Sequence, residues 1–158
     1  KEPEFDCLVY FKRRTTEEFN QVTEFLKAKG ITYKTLSYGG YNDKDVETLS
    51  NKCKFCFMVN GTESQGIAVQ EIMSTDTPMF VWDIKEWNDQ GDEWRVPATS
   101  IPYWSDECGE VFYNIEDIEQ TYDRFYAKID TYQPRKYVEE NLSLKKSVNT
   151  LLEILNAA

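Results

Sequence analysis

No histidine occurs anywhere in the 158 residues. This removes Ser-His-Asp and Cys-His nucleophilic mechanisms, imidazole proton transfer and histidine metal sites, so any chemistry rests on carboxylates, cations, hydroxyls or the ligand itself. Cysteine is scarce: Cys7, Cys53, Cys56 and Cys108 are too few and too irregularly spaced for a disulfide scaffold, which points to a reducing compartment. Cys53 and Cys56 do form a C-x-x-C, but no second pair and no histidine stand ready to complete a zinc site, and both read as core thiols. No run of eighteen apolar residues exists, and the opening "KEPEFD" lacks a signal peptide's pattern, so no transmembrane segment and a cytoplasmic location are expected. Positive charge is also short. Eighteen Lys and Arg against 28 Asp and Glu give a net charge of -10, which disfavours nucleic acid as a partner.

What remains is the composition of a globular chain, 15% aromatic and 29% charged, of a length that suits one domain spanning residues 1–158. Because the chain starts at Lys1 and not at Met, a missing partner domain stays within expectation. "DCLVYFK" (6–12) reads as a buried strand, and the "TTEEFNQVTEFLKAKG" that follows carries Phe19, Val22, Phe25 and Leu26 at helical spacing. Thr15 or Thr16 can cap that helix and Gly30 can end it. "ITYKTLSY" is a second strand, "YGGYN" a turn, "DKDVETLSNK" a short helix, "KFCFMV" a third strand, "GIAVQEIMST" a helix and "TPMFVWD" a fourth strand. Such alternation predicts an α/β fold, a doubly wound, mostly parallel Rossmann-like sheet covered on both faces. A tryptophan-rich loop with a short strand near residues 98–101, a last strand "EVFYN", an amphipathic helix from Ile115 and further helices to about residue 156 complete the prediction.

Open parallel sheets bind ligands beyond the carboxyl ends of their strands. Here those ends carry residues 12–14 ("KRR"), 38–41, 60–66 and the loop after Asp83. In "ESQGIAVQEIM" (63–73), Gly61 permits a sharp turn, Ser64 can cap the helix and Gly66 allows close backbone approach, where free amides and the helix dipole would hold an anion. Glu63 and Glu71 would bracket that anion. Carboxylates repel phosphate, so they are better suited to accept hydrogen bonds from sugar hydroxyls. A phosphate flanked by sugars describes a nucleotide sugar.

"ESQGIAVQEIMSTDTPMFVWD" resembles the nucleotide-binding half of GT-B glycosyltransferases, whose signature is Glu, seven residues, Glu, followed by a Pro-initiated strand. The resemblance implies that Glu63 approaches the donor sugar and Glu71 binds the ribose. It further implies that the segment of Ser64, Gln65, Gly66, Ile67 and Ala68 holds the diphosphate through its amides. "CLVYFKRR" is similar to the family's first strand and cationic loop, which makes Lys12, Arg13 and Arg14 the groups that neutralise the diphosphate. The turn holding Tyr38, Gly39 and Tyr41 matches the loop that lines the base, where a tyrosine ring would stack. Glu63, Lys12 and Arg13 are then the catalytic candidates. Implied with them are a nucleotide-diphosphate sugar as donor substrate with no other cofactor, no metal, and an often retaining outcome. Also implied are an acceptor that is a glycan, a protein or a lipid-linked group and a separate acceptor-binding domain or chain. Ile72 after the second Glu and "STDTP" before the strand depart from the family pattern. A non-catalytic nucleotide or nucleotide-sugar binding module is the alternative reading.

Weaker signals surround these. "DKD" (43–45) imitates a metal-binding D-x-D but falls at a helix start, where capping explains it. Asn60 and Asn141 begin glycosylation sequons, and Trp82, Trp87, Trp94 and Trp104 could line a sugar cleft. A phosphoacceptor receiver domain would need aspartates at the ends of strands one and three, where Lys12 and Asn60 stand instead.

Overall fold

The computed structural model describes residues 2–87 and 95–157. The apolar run at the start forms β1 (Phe5–Lys12), and β2 (Tyr33–Ser37), β3 (Cys53–Asn60), β4 (Met79–Trp82) and β7 (Gly109–Phe112) join it in one sheet. Its order is β2-β1-β3-β4-β7, and every pairing is parallel. A separate antiparallel ribbon pairs β5 (Glu86–Trp87) with β6 (Val96–Pro97). Between the strands run α1 (Thr16–Ala28), α2 (Asp43–Ser50) and α3 (Ile67–Ser74), and the chain ends in α4 (Ile118–Ala127), α5 (Pro134–Asn141) and α6 (Leu144–Ala157).

β3 is apolar at nearly every position because both of its sides are covered, as befits the centre of a parallel sheet. Its side chains still alternate. Phe55, Phe57 and Val59 face one layer with Val22, Phe25 and Leu26 of α1 and Ile118, Tyr122 and Phe125 of α4. Cys56 and Met58 face the other, with Val46 of α2, Val69, Ile72 and Met73 of α3, and Tyr137 and Val138 of α5. The expected doubly wound α/β architecture is the one observed.

Local signals set the helix ends. Thr15 caps α1 in a reciprocal capping box with Glu18, and Gly30 follows the helix at φ 69°. Asn42 and Asp45 form the same device on α2, so Asp45 of the "DKD" segment is engaged as a cap. Pro134 occupies the first turn of α5.

Three boundaries differ from expectation. The short strand of the long loop is β6 at Val96–Pro97 rather than 98–101, because Thr99 and Ser100 direct their hydrogen bonds to the Asp83 carboxylate instead of to a ladder. The amphipathic stretch from Ile115 is α4 flanked by single 3-10 turns at Ile115–Asp117 and Ile129–Thr131, the second closed by Thr131 donating to the Lys128 carbonyl. The N-cap of α3 is Gly66, not Ser64. All four cysteines are free and buried. Burial raises the Cys7 and Cys56 thiols well above their ordinary value and pushes Cys108 up to about 11, so these three offer no thiolate near neutrality. Among the described residues no helix is long and apolar enough to cross a membrane.

Candidate functional site

The connection after β1 leads to α1 on one face of the sheet, and the connection after β3 leads to α3 on the other. Adjacent strands whose exits diverge leave a crevice between their carboxyl ends, the switch point where doubly wound sheets bind ligands. Lys12 and Asn60 are register partners at that edge.

Lys12 Nζ donates to Glu63 Oε1 at 2.7 Å, and Asn60 Nδ2 donates to the same oxygen at 2.9 Å. Both side chains of the ion pair are nearly covered, at 12% and 9% exposure, which makes this a partly desolvated pair rather than a surface one. The other side of Lys12 lies over the exposed Tyr38 ring, 4.5 Å from its centroid. The main chain closes the same seam. Gly61 N donates to the Lys12 carbonyl at 2.8 Å, and a Cβ on Gly61 would sit 2.1 Å from the Arg13 carbonyl oxygen, so the approach requires glycine. Arg13 itself adopts φ 52°, a left-handed conformation rarely held by a non-glycine residue. Its side chain is exposed, and among the described residues no carboxylate pairs with it.

Arg14 is placed quite differently. Its guanidinium donates to the carbonyls of Asn60 (3.2 Å), Trp82 (2.7 Å) and Asp83 (3.3 Å) and to Glu18 (2.8 Å), and it stacks on the Trp82 ring. These bonds tie the ends of β3 and β4 to the first turn of α1. A planar five-donor fork suits that task, and it leaves Arg14 committed to the protein's own carbonyls.

The first turn of α3 has no side-chain cap. Gly66 holds φ 64° and is packed against Pro102, whose Cγ would lie 2.8 Å from an added Cβ. One side of this helix start is therefore closed by the loop after β6, while Ser64, Gln65 and Ile67 remain exposed and Ala68 is half-buried. Gln65 accepts from Gln70 Nε2 through its carbonyl. Glu71 is exposed on α3, two turns below Glu63, and lines a groove of about 630 Å³ with Lys44, Gln70 and Arg135. The glutamates thus face different surroundings, one in the crevice and one beside it. Tyr41 connects them: its hydroxyl is 2.9 Å from the Tyr10 hydroxyl, and its pKa is raised first by burial and then by the charges of both Glu63 and Glu71. That anchorage fixes Tyr41, so Tyr38, beside Gly39 at φ 82°, is the ring with a free face in this turn.

Two polar groups that the Glu-x7-Glu resemblance does not include complete the rim. Asn60 is fully buried and its side chain is spent on Glu63 and on the Thr62 amide, which removes the first sequon as an acceptor. Asp83, at the end of β4, is buried and accepts from Thr99 Oγ1, Ser100 Oγ and the Ser100 amide, pinning the loop whose Thr99 carbonyl receives the Glu63 amide. A lone polar residue closing an otherwise apolar strand was the signal for both. Trp82 is buried and donates to the Tyr113 carbonyl, and Trp87 and Trp104 are half-buried. Trp94 lies outside the described residues. The Asn141 amide donates to the Tyr137 carbonyl, away from the crevice.

Comparison of the chain with family models, with curated proteins and with solved structures gives no match.

Proposed function

We propose that this domain binds a nucleotide-diphosphate sugar and acts as the donor half of a glycosyltransferase. The observation that supports the reading is the switch point between β1 and β3, where Lys12 pairs with Glu63, Arg13 is exposed and the first turn of α3 has no side-chain cap. Cationic side chains and outward amides are what a diphosphate needs, and stabilisation of a departing diphosphate by fixed dipoles is electrostatic catalysis without a covalent intermediate. In this account Lys12 exchanges part of its contact with Glu63 for a phosphate oxygen, which releases the carboxylate towards the sugar hydroxyls. Tyr38 offers its free face to the base, and Glu71 accepts from the ribose on the outer side of the helix start. The transfer would run to a glycan, protein or lipid-linked acceptor held by another domain or chain, with retention of configuration, in the cytoplasm.

One observation favours the binding-only alternative. Glu63 is already paired with Lys12 and accepts from Asn60, an arrangement suited to holding loops in place for recognition. Turnover separates the two. Incubation of the chain with UDP-, GDP- and ADP-linked glucose or mannose should release free sugar slowly, and titration should show binding that Glu71→Ala weakens by about 1 to 3 kcal/mol through unmade hydrogen bonds. Binding without release supports the module reading, and unchanged affinity in the variant removes Glu71 from the ribose.

A further inference from the structure

α6 is, among the described residues, the one long element whose apolar side the fold leaves bare. Among the described residues, none of its side chains is buried, and Leu144, Val148, Leu151, Leu152, Ile154 and Leu155 are each 45% exposed or more. A 14-residue helix is marginal by itself in water, so this one needs a partner surface. Its charges make the need greater. Lys145 and Lys146 sit in the first turn and Glu153 in the second half, the reverse of what the helix dipole favours.

We infer that α6 pairs with α6 of a second copy of this chain, antiparallel, about a two-fold axis. The seam residues Leu144, Val148, Leu151 and Leu155 follow steps of four, three and four, the spacing of a coiled-coil stripe. That sequence of steps reads the same in both directions. Turning a second helix end for end therefore sets Leu144 opposite Leu155 and Val148 opposite Leu151, twice over, with no residue of the stripe unmatched. Such self-complementarity is the requirement of an isologous two-fold contact. Charge selects the same orientation. An antiparallel pair brings the Lys145 and Lys146 end of one helix beside the Glu153 half of the other and opposes the two dipoles, whereas a parallel pair would align like dipoles and gather four lysines at one end. No charged residue falls within the stripe itself. No residue of α6 lines the groove beside Glu71, so the pairing stands whether or not a nucleotide sugar binds at the crevice.

Sedimentation equilibrium of the full chain over a wide concentration range tests the pairing. The expected result is a mass that rises from 18.6 kDa to twice that value, and Leu151→Asp should hold it at the lower value. Because α6 contributes nothing to the core, that variant should keep its far-ultraviolet signal from the sheet and, at concentrations where the parent chain is a monomer, the parent's unfolding midpoint. Lys145→Glu with Lys146→Glu should raise the dissociation constant several-fold, and adding Glu153→Lys should restore it. A monomer at every concentration overturns the inference, as does a dimer that survives Leu151→Asp. Lysine reversal without effect, or without rescue by Glu153→Lys, overturns the antiparallel arrangement.

Discussion

The two faces of the sheet are built from different materials. Beneath α1 and α4 lies a continuous cluster of rings: Phe57 and Phe80 have centroids 4.7 Å apart, Phe80 and Phe112 5.0 Å, Phe80 and Phe125 5.4 Å, and Phe55 and Phe125 5.3 Å. Beneath α2, α3 and α5 the core is mostly aliphatic and sulfur-bearing, with Leu8, Cys56, Met58, Met73, Met79 and Val81 beside the rings of Phe5 and Tyr10. Flat rings in edge and offset contact hold one arrangement, while thioethers with several rotatable bonds adapt to a neighbour that shifts. The loop that opens onto α3 and carries Glu63 belongs to the adaptable side. β1 and β3 send side chains to both faces, and the expectation is a stiffer wall on the aromatic side of the crevice than on the other.

The largest test of that contrast is Phe80→Ala. Phe80 touches four other rings and is fully buried, and its truncation should cost about 4 kcal/mol in denaturant unfolding. A loss well below about 2 kcal/mol would mean that the rings are loosely packed and the contrast is wrong. Next comes the rim where the faces meet. Lys12→Met leaves the Glu63 carboxylate covered and without its cation, an expected loss of about 3 kcal/mol, and the double variant with Glu63→Gln should recover most of it. Failure to recover would show that Lys12 stabilises through its ammonium over the Tyr38 ring instead. On the compliant face, Met58→Leu conserves volume and should cost under about 1.5 kcal/mol by the same measurement, and a larger loss would place Met58 in a rigid setting.

The smallest effect concerns pH. Burial raises the Glu18 carboxyl, but hydrogen bonds from Thr15 and Arg14 and the Arg14 charge outweigh it, and its pKa in the folded chain lies below the ordinary 4.5. A depressed carboxyl contributes stability that is complete above 4.5 and is lost as pH falls through the folded value. Acid titration of the unfolding midpoint should therefore be flatter in Glu18→Gln than in the parent chain. Parallel curves would detach Arg14 and Glu18 from acid stability.

Strands and helices were legible because each depends on neighbours in the chain. Continuous apolar runs announced β1 and β3, and a threonine pair, Thr15 or Thr16, announced the start of α1. The site was legible only in part. "KRR" marked a cationic turn but could not divide its members, since the carbonyls that occupy Arg14 come from Asn60, Trp82 and Asp83, far along the chain. Lys12 and Glu63 are 51 positions apart, and no periodicity links them. The Glu-x7-Glu spacing placed both glutamates on one loop and helix, yet their differing surroundings follow from Pro102 and α5, which pack on that helix from later in the sequence. Asp83 was passed over because its value lies in Thr99 and Ser100, which only the folded loop brings to it.

The central claim is a diphosphate site in the β1 and β3 crevice. Calorimetric titration with UDP, GDP and ADP, each compared with its nucleoside, in the parent chain and in Arg13→Ala tests it most directly. The account predicts saturable binding of at least one diphosphate, much weaker binding of its nucleoside, and a loss in the variant confined to the diphosphate. Equal affinity for nucleoside and diphosphate, or an Arg13→Ala chain that binds the diphosphate as the parent does, would contradict it.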